Sequence, residues 1–146
     1  MISRLKIVGL LLLASVSLSS CKSYTIPVDS FKQQLGSIKP SDFKKVYIDG
    51  AIYGSYLANP IEKIKCIDKN GNPYELTNSP AIEIRFTYGE KSRKTTFYFD
   101  TILLTDSVVI GQRSRLIPSL TKEIPINSIT KIEVQNGGKK IRYVNK

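Results

Sequence analysis

The sequence predicts an all-β fold, a small barrel or sandwich of antiparallel strands with a short N-terminal helix. Three observations carry that expectation. From residue 46 onward apolar residues recur with a period of two, the signature of half-buried strands. Clusters of Gly, Asn, Asp and Pro interrupt them at roughly 8–12-residue spacing, which gives about seven or eight short strands. Helical patterns do not alternate with these strands, so the βαβ rhythm of a parallel sheet is missing. The length of 146 residues accommodates one domain.

The first element is an expected leader. Arg4 and Lys6 precede the apolar run Ile7 to Val16, whose only polar member is Ser15. The run is too short for a spanning helix, which needs about 20 apolar residues, and has the form of a secretory signal. It ends in Leu18-Ser19-Ser20-Cys21, an aliphatic residue and two small ones before a cysteine. This resembles the lipobox of bacterial lipoproteins. The resemblance implies that Cys21 is diacylated on its thiol, that signal peptidase II then cuts before it, and that the new amine is often acylated too. The expected organisation is a signal peptide at 1–20, an acylated cysteine and tether at 21–27, and a single mostly-β domain at 28–146. The expected location is the cell envelope, periplasmic or surface, with the body held at a membrane outside the cytoplasm. Lys22 to Pro27 reads as a polar tether reaching at most ~20 Å.

Residues 28–36 read as a short helix. Ser30 and Gln33 have the spacing of a capping box, Phe31 and Leu35 share one face, and Gly36 suits a left-handed C-terminal cap. Pro40 to Phe43 suggests one further turn. Val46-Tyr47-Ile48 and Ala51-Ile52-Tyr53 flank Asp49-Gly50, read as a turn, while Gly54 and Asn59-Pro60 break the next stretch. Ile61 to Ile67 and Tyr74 to Thr77 are strand candidates around the turn cluster Lys69 to Pro73. Ile82 to Tyr88 alternates strictly, Gly89 to Ser92 is a hairpin loop, and Arg93 to Phe99 is rich in β-branched and aromatic residues. Thr101 to Leu104 reads as its continuation, and Ser107 to Ile110 returns after a turn. Ile124-Pro125-Ile126, Ile129, Ile132 and Val134 follow. Asn136-Gly137-Gly138 is read as a hairpin turn closing onto residues 139–144. The stretch Asp106 to Val134 has a strand, a glycine, a variable loop and an Ile-Pro-Ile…Ile…Ile-Glu run. It resembles small SH3-like β domains, from which no site residue is carried over.

Composition removes several chemistries. Histidine is absent, which excludes Ser-His-Asp and Cys-His pairs and the commonest metal ligand. Neither a metal nor a cofactor is expected. The twelve acids fall mostly in turns or on the polar phase of strands, which disfavours a carboxylate-pair hydrolase. Cys66, within Ile64-Lys65-Cys66-Ile67, reads as a core hydrophobe more than as a reactive thiol.

The net charge is +10, and loss of the two leader cations leaves +8. Such a balance raises nucleic acid as a partner, and export argues against it. The partners expected are the membrane, through the lipid anchor, and an acidic envelope polymer, an anionic lipid or an acidic protein. Tyr47, Tyr53 and Tyr56, preceded by Lys44 and Lys45, form one candidate recognition surface; core tyrosines on bent edge strands are the competing account. Lys139, Lys140 and Arg142 on the expected final hairpin are the cationic candidates. The expectation is a lipid-anchored binding or accessory module without catalysis. A small-ligand or lipid carrier with a cavity in the β domain stays open, and behind it the hydrolase.

Overall fold

Alternation in Ile82–Tyr88 (β6) sends Ile82, Ile84 and Phe86 to one face, and that face organises the fold. The computed structural model describes residues 22–50, 54–115 and 117–145. β6 pairs with Arg93–Tyr98 (β7) on one side and with Ile129–Asn136 (β11) on the other. Beyond β11 come Ser23–Thr25 (β1), Lys63–Ile67 (β4) and Pro73–Thr77 (β5), completing a six-stranded sheet in the order β5-β4-β1-β11-β6-β7. Two three-stranded sheets stand against it. One is Leu103–Leu104 (β8), Val108–Gln112 (β9) and Thr121–Pro125 (β10); the other is Ile141–Tyr143 (β12) with Lys44–Gly50 (β2) and Gly54–Ala58 (β3). All pairings are antiparallel, and the sheets are arranged as a sandwich rather than closed into a barrel.

The main core lies between the large sheet, the β8–β10 sheet and helix α1 (Val28–Leu35). Phe31 and Leu35 supply the apolar stripe of α1, and Phe31 meets Phe86 edge to face at 5.5 Å between centroids. Gly111 of β9 lies against the face of Phe97, where any Cβ would stand 2.5–2.7 Å from ring carbons. Cys66 is buried in this core, as its strand context predicts. A second, smaller core holds Val46, Ile48, Tyr56, Ala58 and Ile141. Among the described residues no helix is long and apolar enough to cross a membrane.

Six local expectations are corrected. Ser23–Thr25, read from the sequence as part of a polar tether, is a strand held by both β11 and β4, and Ile26 is buried. Tyr24 and Ile26 point into the core, and β1 covers edges that β4 and β11 would otherwise leave open.

The helix starts at Val28 with Pro27 at its N-cap, so Ser30 is inside it and the Ser30–Gln33 box does not form. Gly36 has φ −67°, right-handed rather than left-handed. It is Gln34, one position on, that makes the tertiary contact. Its side chain accepts from Lys65 N–H and donates to Lys65 C=O, both at 2.9 Å. Continuing the β1–β4 register would place Pro27 opposite Lys65, and proline has no N–H to give. The glutamine amide takes over the ladder where the strand cannot.

The segment after Tyr98 does not continue its strand. A 3-10 turn at Phe99–Thr101 carries the chain across to the β8–β10 sheet. Asn59, wholly buried, holds that turn by donating its side-chain amide to the carbonyls of Phe99 and Ile102.

Asn136-Gly137-Gly138 is a switch between sheets and not a hairpin. Both sides of β11 are already taken by β1 and β6, so the residues beyond Gly138 pair with β2 instead. The same pairing makes Asp49 and Gly50 part of a strand rather than a turn, opposite Arg142 and Ile141. The expected strand at 51–53 lies outside the described residues.

Candidate functional site

The sequence-derived site residues separate into a surface cleft and a buried cluster. Strand alternation explains the separation. Along β2, Val46 and Ile48 face the small core while Tyr47 faces out, 46% exposed, with the Lys45 ammonium 5.6 Å from its ring centroid. In β3, Tyr56 pairs with Val46 and shares its inward side. Tyr47 and Tyr56 therefore do not form one recognition surface, and Tyr56, buried, is no surface residue at all. Tyr53 lies outside the described residues.

Tyr56 instead reaches Asp100, in the 3-10 turn between β7 and β8. Asp100 is completely buried. Its Oδ2 accepts from the hydroxyls of Tyr56 and, at 2.6 Å, Tyr143 of β12. Its Oδ1 faces the Arg115 guanidinium at 3.5 Å. Arg115 also donates to the Pro80 carbonyl, and its guanidinium carbon lies 3.7 Å from the Tyr98 centroid and 5.2 Å from that of Tyr56. A buried carboxylate is tolerable only when paired and hydrogen-bonded, and this one is both. Burial first, and the Asp100 charge second, push both phenols far above the ordinary tyrosine pKa. They stay protonated donors, unfit to act as bases or nucleophiles near neutrality. The cluster bolts the β2–β3–β12 sheet to the main body.

Sequence reasoning missed Asp100 and Arg115. The available signal was a lone acid, Asp100, inside Phe97-Tyr98-Phe99-Asp100-Thr101-Ile102-Leu103-Leu104. An acid in such a run is either a turn or a buried ion; here it is both. Arg115 carries no comparable local signal.

No family model, curated protein or solved structure matches the chain. What the molecule offers a partner has to be read from its own surface.

Lys139, Lys140 and Arg142 do come together. With Asp49, Gly50 and Ile141 they line an open cleft of about 390 Å³ where β12 joins β2. Gly50 makes the junction possible. It has φ +143°, and a Cβ there would run into the Lys140 carbonyl oxygen. The cations differ in what holds them. Arg142 meets Asp49 at 3.5 Å in an exposed pair that contributes little to stability. Lys139 donates to the Tyr98 hydroxyl at 2.7 Å and stands 4.0 Å from Glu83. Lys140 is exposed and has no charged partner among the described residues. A cleft with three cations and one acid suits an anion. A second cleft, about 210 Å³, is lined by Glu83, Thr96, Phe97, Tyr98 and Arg113. Tyr98 and Glu83, which hold Lys139, connect the two.

Proposed function

We propose that this protein is a lipid-anchored envelope protein that works by binding, with the Lys139–Lys140–Arg142 cleft as its recognition site for an acidic partner. The anchor rests on the complete lipobox Leu18-Ser19-Ser20-Cys21. The observation that carries the binding reading is the convergence of three cations at the β12–β2 junction around an open cleft. Several cations facing a polyanion bind through summed, salt-screened attraction rather than through one strong contact. The buried Tyr56–Asp100–Tyr143 cluster supports a non-catalytic reading, since its phenols are held protonated. A surface cleft lined by charge also favours an acidic partner over an apolar cargo.

Two measurements test this. Cys21→Ala should abolish fatty-acid labelling and leave an uncleaved precursor; normal labelling and processing would refute the anchor. The acylated protein in mild detergent should be retained on immobilised polyphosphate or polyglutamate and released by salt. The triple variant Lys140→Glu with Lys139→Glu and Arg142→Glu should elute at distinctly lower salt. Unchanged elution of that variant, with its fold intact by circular dichroism, would remove the cleft from the reading.

A further inference from the structure

We infer that the domain is held in one orientation on the bilayer, with the Ser23–Gln135 end of its six-stranded sheet against anionic headgroups; this rests on the proposed acylation of Cys21. Only Lys22 separates Cys21 from Ser23, the first residue of β1. Two residues of extended chain reach ~7 Å. The polar layer on each side of a bilayer is itself roughly 5–7 Å deep. The strand therefore begins where the headgroups end, and no leash remains to let the domain turn over.

The strand cannot supply slack by peeling away. Ser23, Tyr24 and Thr25 pair with Gln135, Val134 and Glu133, and Thr25 also pairs with Ile67. The next residue, Ile26, is buried and donates its N–H to the Ile132 carbonyl at 3.0 Å.

The register identifies what shares that end. Continuing the Thr25–Ile67 pairing puts Lys69 level with Ser23 and Asn70 level with Lys22, at the tip of the β4–β5 turn. The sheet switch at Asn136–Gly138 follows immediately after Gln135 and leads to Lys139 and Lys140. Lys22, Lys69, Lys139 and Lys140 are all exposed. The acids near them are Asp49, which shares the cleft of Lys139 and Lys140 and is paired with Arg142, and Asp68 and Glu83. The Asp68 carboxylate is turned into its own loop, accepting from the N–H groups of Asn70 and Asn72 at 2.8 and 2.9 Å. Glu83 is half-buried beside Lys139 and Gln135. The balance at this end is positive, and lysines within a Debye length of an anionic leaflet are attracted to it. The Gly89–Ser92 loop lies at the opposite end of β6, roughly 20 Å away at about 3.4 Å per residue.

The chain contains no tryptophan, so single substitutions give unambiguous reporters. The full acylated protein carrying Asn70→Trp, Lys69→Trp or Lys91→Trp is reconstituted into phosphatidylglycerol–phosphatidylethanolamine vesicles brominated near the headgroups. Mass spectrometry of the N-terminal peptide is done on the same samples. Acylated protein should show several-fold stronger bromine quenching at positions 69 and 70 than at 91. Equal quenching at both ends, or stronger quenching at 91, on acylated protein would overturn the orientation and leave the anchor standing. A mature protein without acyl groups on Cys21 would overturn the anchor, and the orientation with it.

Discussion

Tyr143, three residues from the C-terminus, donates its hydroxyl to the buried Asp100 carboxylate at 2.6 Å, across 43 positions of chain. Tyr56 donates to the same oxygen from the β3 side. The last strand and the β2–β3 hairpin are thus fastened to one acid in the middle of the molecule. Tyr143→Phe should lower stability by roughly 1.5–3 kcal/mol, the range for a hydrogen bond to a charged group. Asp100→Ala should cost more, ~3–5 kcal/mol, because Arg115 and two phenols lose their buried partner. Urea unfolding of both variants measures this; a Tyr143→Phe midpoint equal to wild type would show that the cluster does not fasten the sheet.

The same cluster sets the alkaline limit. Tyrosines in an unfolded chain ionise near pH ~10, whereas Tyr56 and Tyr143 are held protonated well above that. Above pH ~10 the unfolded state therefore binds fewer protons than the native state, and stability falls as pH rises. Below that pH the two groups are neutral in both states and contribute no slope. Tyr88 behaves oppositely, since the hydrogen bond donated by Lys122 pulls its phenol below the ordinary value. In a near-ultraviolet titration Tyr88 should ionise first. Tyr56 and Tyr143 should ionise last, together with the loss of far-ultraviolet signal. Replacing either of them with Phe should remove one late-titrating group; loss of an early one would contradict the assignment.

Gly111→Ala tests the seat of Phe97. The added methyl meets ring carbons at 2.5–2.7 Å, and the ring is buried with nowhere to retreat. Overpacking of this kind costs typically ~1–3 kcal/mol. Pairing it with Phe97→Leu should recover part of the loss in a double-mutant cycle. Strict additivity of the two changes would separate the glycine from the ring.

Gln34→Ala should cost about 1 kcal/mol, the net contribution of ordinary hydrogen bonds, by leaving both backbone groups of Lys65 to water. Amide exchange at Lys65 should accelerate while the β1–β11 amides keep their protection. Unaltered exchange at Lys65 would mean that the side chain follows the strand edge without holding it.

Fold class, most strand positions and the helix are legible in the residues alone, because they depend on period and turn chemistry within a few positions. Ile82 to Tyr88 is the clearest case, since alternation alone sends Ile84 and Phe86 inward. The sequence also brought Lys139, Lys140 and Arg142 forward, since three cations within four consecutive positions need no tertiary information to be neighbours. The partners of those strands were decided only in three dimensions. Asn136-Gly137-Gly138 has the residues of a hairpin turn, yet β11 has no free side left, and a local motif carries no record of which edges are already occupied. Tyr47 and Tyr56 look alike in sequence; the 2-residue period and the register of β2 with β3 send one to solvent and the other to Asp100. The Asp100–Arg115 pair and the pairing of Ser23–Thr25 with β11 and β4 belong to the same class. Each depends on contacts between distant segments, where burial and hydrogen-bond satisfaction across the whole fold outweigh local preference.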